Sequence, residues 1–437
     1  MFKEGLVDKT LRRIKKLIPK SVFDFFAPIY HALLAWAGAV IYGFPSRSMK
    51  VIGVTGTKGK STTVFLISKL LEDVKDAHSQ GGVAAIGSLG FKIKDKEWPN
   101  NLKMTMPGRF KLQKFLARAK KAGCKYVVLE VTSEGIKQKR HLGVKFDCAV
   151  FTNLHKEHLE SHGSFENYYK AKQELFKRTE NIHVLNGDDP HLKLFSDFHA
   201  KHKIFYGINS GDMRADNIRL GEGKSSFEVY GTGFDINFGG RFNIYNCLAA
   251  LAVGAMYGID LPKARPILEK ISSIKGRMEY VQKDPFSVVV DYAHTPDSLK
   301  EVYKTLKPEK GKLICVLGAA GGGRDKWKRP EFGKIASEYC DEIILTDEDP
   351  YDENPVSILE QIESGFSKSE IRNPKSEKIL NRREAIKKAI SIAEAGDTVI
   401  ITGKGSEVSM AVAGGKKIPW SDRDIVLELT ENLKGLS

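Results

Sequence analysis

The chain has 437 residues, enough for two or three domains with cores of their own. With 41% hydrophobic and 28% charged residues its composition is that of an ordinary soluble globular protein. A formal net charge of +15 suits nucleic acid, an anionic membrane surface or polyanionic small substrates. No basic stripe is interleaved with aromatics, so nucleic acid is set aside, and a nucleotide with an acidic substrate accounts for part of the charge.

The first 20 residues carry seven Lys/Arg against two acids, and Phe25 to Phe44 then run without a formal charge. That length could span a bilayer. The run is too long for a signal peptide and ends in YGFPSR, without a small-residue cleavage site. A single span would hold the basic flank inside and leave the rest of the chain outside. Pro28, His31 and Gly38 also interrupt the run. A packed or interfacial helix, or a short helical hairpin, is therefore expected, with peripheral membrane contact through residues 1–44 as an open alternative to a purely cytoplasmic enzyme.

From Lys50 onward, short β-branched runs alternate with helical patterns. Strands are expected at 50–54, 126–130, 148–152, 183–186, 287–291, 312–318, 342–346 and 397–403. Helices are expected at 111–122, 164–177, 243–257, 298–306 and 383–394. This is the α/β pattern of parallel sheets covered by helices. The Gly-rich stretch near 205–240 reads as antiparallel strands inserted in or appended to the first sheet. A domain boundary is placed after IKGRMEY (274–280). The chain divides into a short basic and apolar segment (1–48), a central domain (49–278) and a C-terminal domain (279–437). The cysteines Cys124, Cys148, Cys247, Cys315 and Cys340 are odd in number and form no C-x-x-C pair, which reads as free, mostly buried thiols in a reducing cytoplasm.

Polar, Gly-rich clusters follow the carboxyl ends of the expected strands, the edge where ligands bind in open α/β sheets. The first is TGTKGKST (55–62), a shortened phosphate loop in which Val54 stands where the usual first Gly would be. Gly56, Thr57, Lys58 and Gly59 offer backbone N–H groups to phosphate oxygens. Lys60 can reach the terminal phosphates, and Ser61 or Thr62 can hold Mg²⁺. Glu130, at the end of an apolar strand, can bind Mg²⁺ directly or through water. FTNLHKEHLESHG places His155, His158 and His162 at spacings of three and four. These could share one helical face as a zinc site, but Mg²⁺, which prefers oxygen ligands, is the metal phosphate chemistry needs. Lys172, in NYYKAKQELF, reads alone as a solvated helix residue. Asn243 and Asn246 lie three apart at a helix start, where they could read an adenine edge or merely cap the helix. Arg277, Asp291 and His294 add a cation, an acid and an imidazole suited to phosphate and ribose.

These motifs together resemble the Mur ligase family, the ATP-dependent ligases of the peptidoglycan stem peptide. TGTKGKST, NLHKEHLESHGSFENYYKAKQELF, FNIYNCLAA, GRME and DYAHTPDSL occur in the family's order, from about Lys50 to Arg423. GRME, DYAHTPDSL, GGGRDKWKR and GKGSE are similar to the MurE branch, which adds the third residue to UDP-N-acetylmuramoyl-L-Ala-D-Glu. The resemblance implies a P-loop central domain with a parallel sheet and a Rossmann-like C-terminal α/β domain. It implies ATP and Mg²⁺ as cofactors, a carbamylated Lys172, and Ser61, Glu130, His158 and Lys172 around the metal. It makes Lys60, Lys172, His158 and Arg277 the catalytic set. Asn243 and Asn246 match adenine contacts, Arg277 and His294 phosphate contacts, and Asp291 a ribose contact. Thr105, Thr132, Gln138 and Arg140 match the muramoyl-peptide site, and Arg324, Asp349, Tyr351, Gly403 and Glu407 the amino-acid site.

The implied reaction activates a substrate carboxylate as an acyl phosphate and joins it to the amine of a diaminopimelate- or lysine-type amino acid. Closure of the domains would complete the site and exclude water. The enzyme is expected to be a monomer. Three departures qualify the match: Glu348–Tyr351 (EDPY) replaces the D-N-P-R of diaminopimelate-specific members, Ser406 replaces a His, and Met106 replaces a Thr. About fifty basic and apolar residues also stand where the family carries a UDP-holding domain. A folylpolyglutamate-synthase-like ligase, a ligase acting on a non-UDP carrier, and a non-catalytic ATP-binding scaffold are the alternatives.

Overall fold

The computed structural model describes residues 20–72, 82–102, 104–157, 159–323, 325–366 and 374–434. His158, Arg324 and the basic residues 1–19 lie outside them. The described chain falls into two compact units: one runs to Ala215 and takes in Tyr245–Ala264, the other holds Asp216–Ile244 and continues from Arg265.

The first unit is built on a nine-stranded sheet. Its order is Lys96–Trp98, Gly90–Ile93, Gly82–Gly87, Cys124–Glu130, Lys50–Thr55, Cys148–Phe151, Ile182–Asn186, His202–Gly207 and Met213–Arg214. The strands from Gly82–Gly87 to Met213–Arg214 pair in parallel, and the first two form an antiparallel edge. Val51, Ile52 and Val54 are fully buried, as a strand covered by helices on both faces requires. The expected strands of both sheets and the expected helices are all present. The two strands of the antiparallel edge, Gly90–Ile93 and Lys96–Trp98, have no counterpart in the expectation, because each is too short to show a period.

The second unit has a six-stranded sheet in the order Glu279–Gln282, Ser287–Val290, Thr398–Ile401, Leu313–Leu317, Glu342–Leu345 and Lys375–Lys378. It is parallel except for the antiparallel first pair. The Gly-rich stretch forms a sheet of its own, Asp216–Gly221, Lys224–Val229 and Thr232–Ile236. The earlier part of the stretch, through Met213–Arg214, does join the edge of the first sheet, but in parallel; this three-stranded antiparallel sheet stands apart from it. Its Lys224–Val229 strand is covered on both sides by its two neighbours, and the turn at Glu222 is tied to the second unit through Ser287 Oγ, which donates to Glu222 Oε1 at 2.7 Å.

The cysteines differ from expectation as well. Cys315 and Cys340 are bonded, with Cα atoms 6.1 Å apart, while Cys124, Cys148 and Cys247 are free and buried. Cys315 lies inside the Leu313–Leu317 strand and Cys340 caps the Lys328–Tyr339 helix, so the fold joins residues 25 apart that no short motif links. The expectation of five free thiols is corrected to three, Cys124, Cys148 and Cys247.

One buried ion pair fastens the second unit. Arg382 donates through Nε and Nη2 to the two carboxylate oxygens of Asp422, at 2.9 and 2.8 Å, and both side chains are wholly inaccessible. Arg382 also donates to the carbonyls of Thr402 and Asp347, and Trp420 Nε1 donates to Asp422. Removing one partner strands a buried charge, which costs about 3–5 kcal/mol. Asp422→Ala is therefore expected to lower the unfolding free energy by about that much in urea titrations, and a loss too small to resolve would show the pair to be dispensable.

Candidate active site

The loop Thr55–Gly59 joins the Lys50–Thr55 strand to the Lys60–Glu72 helix, so its N–H groups gather at a helix N-terminus. Two glycines make that shape. Gly56 has φ +152°, and a β-carbon there would sit 1.9 Å from Thr152 Oγ1; Gly59 has φ +76°, and its β-carbon would lie 2.3 Å from Asn246 Oδ1. The loop is braced from outside. Asn153 accepts from the amides of Thr57 (2.9 Å) and Lys58 (2.8 Å), and Thr152 Oγ1 donates to the Lys58 carbonyl at 2.7 Å. Sequence reasoning passed over Thr152 and Asn153, although the TN before the first histidine is a polar pair at a strand end.

Around this loop lie three of the expected metal residues, Ser61, Glu130 and Lys172. Ser61 Oγ donates to Glu130 Oε2 at 2.9 Å, and the Ser88 amide donates to the same oxygen at 2.8 Å. Ser88 Oγ is 3.1 Å from Thr105 Oγ1, which connects Glu130 to the first expected substrate residue. Lys172 is not the solvated helix residue that a reading of it alone suggests. It is buried at 1% exposure, its Nζ donates to the Gly56 carbonyl at 2.6 Å, and it lies 4.5 Å from the centre of the Tyr168 ring. Tyr168 Oη is 3.0 Å from Thr57 Oγ1. Burial holds the Lys172 amine well below its ordinary pKa and the nearby Lys60 adds to this, while Glu157 and Glu130 oppose it. Lys60 Nζ itself donates to the Thr57 carbonyl at 2.7 Å.

The proposed acceptor residues follow one another. Thr132 caps the Ser133–Lys137 helix by accepting from the Gly135 amide. Arg140 donates through Nη2 to Gln138 Oε1 at 2.7 Å and through Nη1 to the Met106 carbonyl. Burial pulls its pKa down to about 10, and its Nε has no hydrogen-bond partner. A buried cation with an unsatisfied N–H suits an anionic group.

Of the two asparagines on the Arg241–Met256 helix, Asn243 donates to the Gly239 carbonyl and Asn246 Oδ1 accepts from Thr63 Oγ1. Asn246 thus braces the phosphate-loop helix. In the second unit Arg277, Tyr292 and His294 cluster: the Arg277 guanidinium stacks 4.4 Å from the Tyr292 ring centre, and His294 Nδ1 is 2.8 Å from the Tyr292 carbonyl. Asp291 accepts from the Met278 and Ala293 amides, both at 2.7 Å, so its carboxylate also shapes the turn.

The C-terminal motifs EDPY and GKGSE meet at Lys404, which sequence reasoning did not single out. Its fully buried Nζ donates to Asp349 Oδ1 at 2.9 Å and to Glu407 Oε2. Gly403, at φ +101°, leaves room for Glu348, whose Oε2 would be 2.3 Å from a β-carbon there. Tyr351 adopts φ +53°, and its amide donates to the Ala411 carbonyl at 3.3 Å.

Residues 54–254 match the Mur ligase middle domain and residues 276–405 the Mur ligase glutamate ligase domain. A UDP-N-acetylmuramyl-tripeptide synthetase from Roseiflexus sp. (strain RS-1) is 35% identical over 420 residues, covering 90% of this chain and 81% of the relative. The chain belongs to the Mur ligase family. A UDP-N-acetylmuramoyl-L-alanyl-D-glutamate–2,6-diaminopimelate ligase from Thermosynechococcus vestitus is 38% identical over 403 residues, 88% of this chain and 78% of that protein. A solved ligase of the same description superimposes with a TM-score of 0.60 at 31% identity, covering 88% of this chain and 79% of that one. The nine-stranded sheet with its phosphate loop is thus that of a P-loop central domain, and the six-stranded sheet that of a Rossmann-like C-terminal α/β domain.

The residues of this Mur ligase fit Mg²⁺ better than zinc. Ser61 Oγ and the Glu130 carboxylate are oxygen donors 2.9 Å apart beside the phosphate loop. Of the three histidines, His158 lies outside the described residues, and His155 does not share a helix with His162. His155 stands outside the Leu159–His162 helix, and its amide donates to Thr57 Oγ1. His162 is buried against Tyr168. Among the described residues, no group of three His, Cys, Asp or Glu is placed to hold a metal.

Glu348 gives the second unit a pH signature. Burial raises its carboxyl from 4.5 to about 7, against the pull of Arg382 and Lys404. A carboxyl with a raised pKa binds its proton more tightly when folded. Its contribution to stability is therefore complete below pH 4.5 and is lost as the pH climbs to about 7. Glu348→Gln removes that slope. The variant is expected to gain on wild type between those two pH values and to keep the gain above them, whereas parallel stability curves would place Glu348 in a more polar setting.

Proposed function

We propose that this protein is an ATP-dependent ligase that joins a third residue, of diaminopimelate or lysine type, to UDP-N-acetylmuramoyl-L-Ala-D-Glu. The observation that carries the reading is the buried Lys172 amine, 2.6 Å from a phosphate-loop carbonyl and close enough to Glu130 to feel its charge. An amine held toward its neutral form can attack the carbon of CO₂, release a proton and become a carbamate. That converts a nitrogen donor into an oxygen donor for Mg²⁺, with Ser61, Glu130 and His158 as the other ligands. Bound there, Mg²⁺ would offset charge on the phosphates.

The chain's own residues then do the following. The amides of Gly56–Ser61 cradle the phosphates, and Lys60 and Arg277 draw charge from the transferring group. Asn243, Asn246, Asp291 and His294 hold the nucleoside and phosphate. Thr105, Thr132, Gln138 and Arg140 orient the muramoyl peptide so that its carboxylate oxygen attacks the γ-phosphorus and ADP departs. Arg324, Asp349, Tyr351, Gly403 and Glu407 present the incoming amine to the acyl carbon. A tetrahedral species forms and collapses with loss of phosphate. No protein nucleophile is needed, because the catalysis is positioning and charge stabilisation. Residues 49–278 act as the ATP-binding domain and 279–437 as the amino-acid domain. The enzyme works as a monomer in the cytoplasm and touches a membrane surface through residues 1–44.

The test supplies ATP, UDP-N-acetylmuramoyl-L-Ala-D-Glu and a panel of amino acids, and follows phosphate release. Release is expected with a diamino acid, and Lys172→Ala should cut it about a hundredfold or more, with partial rescue by added short-chain carboxylates. No release with any amino acid, or full activity in the variant, would overturn the reading.

A further inference from the structure

The Lys20–Ile41 helix is oriented opposite to an ordinary surface helix. Its small residues face the protein: Ala35 and Ala39 are buried, and a β-carbon on Gly38 would lie 3.6 Å from Phe110 and Gln113 of the Arg109–Lys121 helix. On the other side, Ala39 Cβ is only 2.5 Å from where a β-carbon on Gly143 would be. The large apolar residues face outward. Ile29, Leu33, Trp36 and Val40 follow one another at helical spacing, with exposures of 59, 66, 47 and 63%, and Ile41 adjoins them. A helix on a soluble domain normally turns its large apolar side chains to the core, and an apolar stripe of this length marks a contact surface.

The surroundings of the stripe select its occupant. The helix beneath it, Arg109–Lys121, carries Arg109, Lys111, Lys114, Arg118, Lys120 and Lys121 and no acid, with Lys114, Lys120 and Lys121 exposed. At the carboxyl end the exposed Arg47 stacks 4.2 Å from the Phe44 ring, which is 6.2 Å from that of Trp36. This places a cation beside an aromatic pair of the kind found at headgroup level. Among the described residues, no helix is long and apolar enough to cross a membrane. Two copies meeting through the stripe would bring two cationic helices together.

We propose that the outward face of the Lys20–Ile41 helix lies on an anionic lipid surface, parallel to the bilayer plane, with Ile29, Leu33, Trp36 and Val40 in the acyl boundary and the neighbouring Lys/Arg on the headgroups. This deepens the membrane contact proposed above by naming the face and the lipid charge, and it does not depend on which amino acid is ligated. None of the residues of this face belongs to the catalytic or binding residues named above.

The full chain is mixed with phosphatidylcholine vesicles and with vesicles that also contain phosphatidylglycerol, then sedimented. Binding to the mixed vesicles is expected to exceed binding to the neutral ones by about tenfold or more, and to weaken with added salt. Leu33→Gln with Trp36→Gln should lower it about tenfold while far-UV circular dichroism and ATP-dependent phosphate release with soluble substrate stay as in wild type. Trp36 fluorescence should shift to the blue only with the anionic vesicles. Wild type that stays in the supernatant with both vesicle types would overturn the proposal. So would light scattering that shows a dimer dissociated by the double substitution, since a second copy would then cover the stripe. Lipid binding that persists in a chain inactive toward every amino acid would leave this proposal standing and remove the ligase reading alone.

Discussion

An amine deprived of water is the constraint around which the first unit is arranged. Lys172 sits beneath the phosphate loop, with the Gly56 carbonyl as its partner and the Tyr168 ring as its wall. Keeping a lysine there is costly in the charged form. The surroundings reduce that cost by favouring the neutral amine, the form that reacts with CO₂. The same burial requires a tight loop. Gly56 can approach Thr152 only because it has no β-carbon, and the Thr152–Asn153 brace holds the loop carbonyls and amides in place. Loop shape, buried lysine and the Ser61–Glu130 pair are therefore one arrangement.

The second unit solves a related problem with the opposite sign. Glu348, Asp349 and Glu407 gather at a strand end, and a buried Lys404 ties two of them together while leaving Glu348 to take up its proton near pH 7. The Arg382–Asp422 pair lies next to this cluster, since the Arg382 guanidinium also reaches the Asp347 carbonyl. Under the proposed function, Tyr351 stands where the resemblance places the arginine of diaminopimelate-specific members, and the proposed amino-acid site so lacks a cation to pair with a second carboxylate.

Much of this was legible from residue order. Strands such as Val51–Val54 and Val288–Val290 announced themselves because parallel strands covered on both faces read as unbroken apolar runs. The phosphate loop was legible because its glycines answer to local geometry. Lys172 was not legible from its own surroundings: YYKAKQELF has a helical pattern in which a lysine is ordinarily solvated, and only likeness to a family raised it. Lys404 and the Cys315–Cys340 bond escaped for the same reason, since each depends on elements brought together across the fold. The spacing of the three histidines left a zinc reading open beside the favoured Mg²⁺, because spacing alone does not reveal that His155 stands outside the Leu159–His162 helix.

The proposed function stands or falls with uptake of CO₂ by Lys172. Carbon-13 NMR of the protein equilibrated with ¹³C-bicarbonate tests it directly. The account predicts one protein-bound carbamate resonance in wild type that is missing from Lys172→Arg. Wild type that turns over ATP in the same buffer yet shows no such resonance would contradict it.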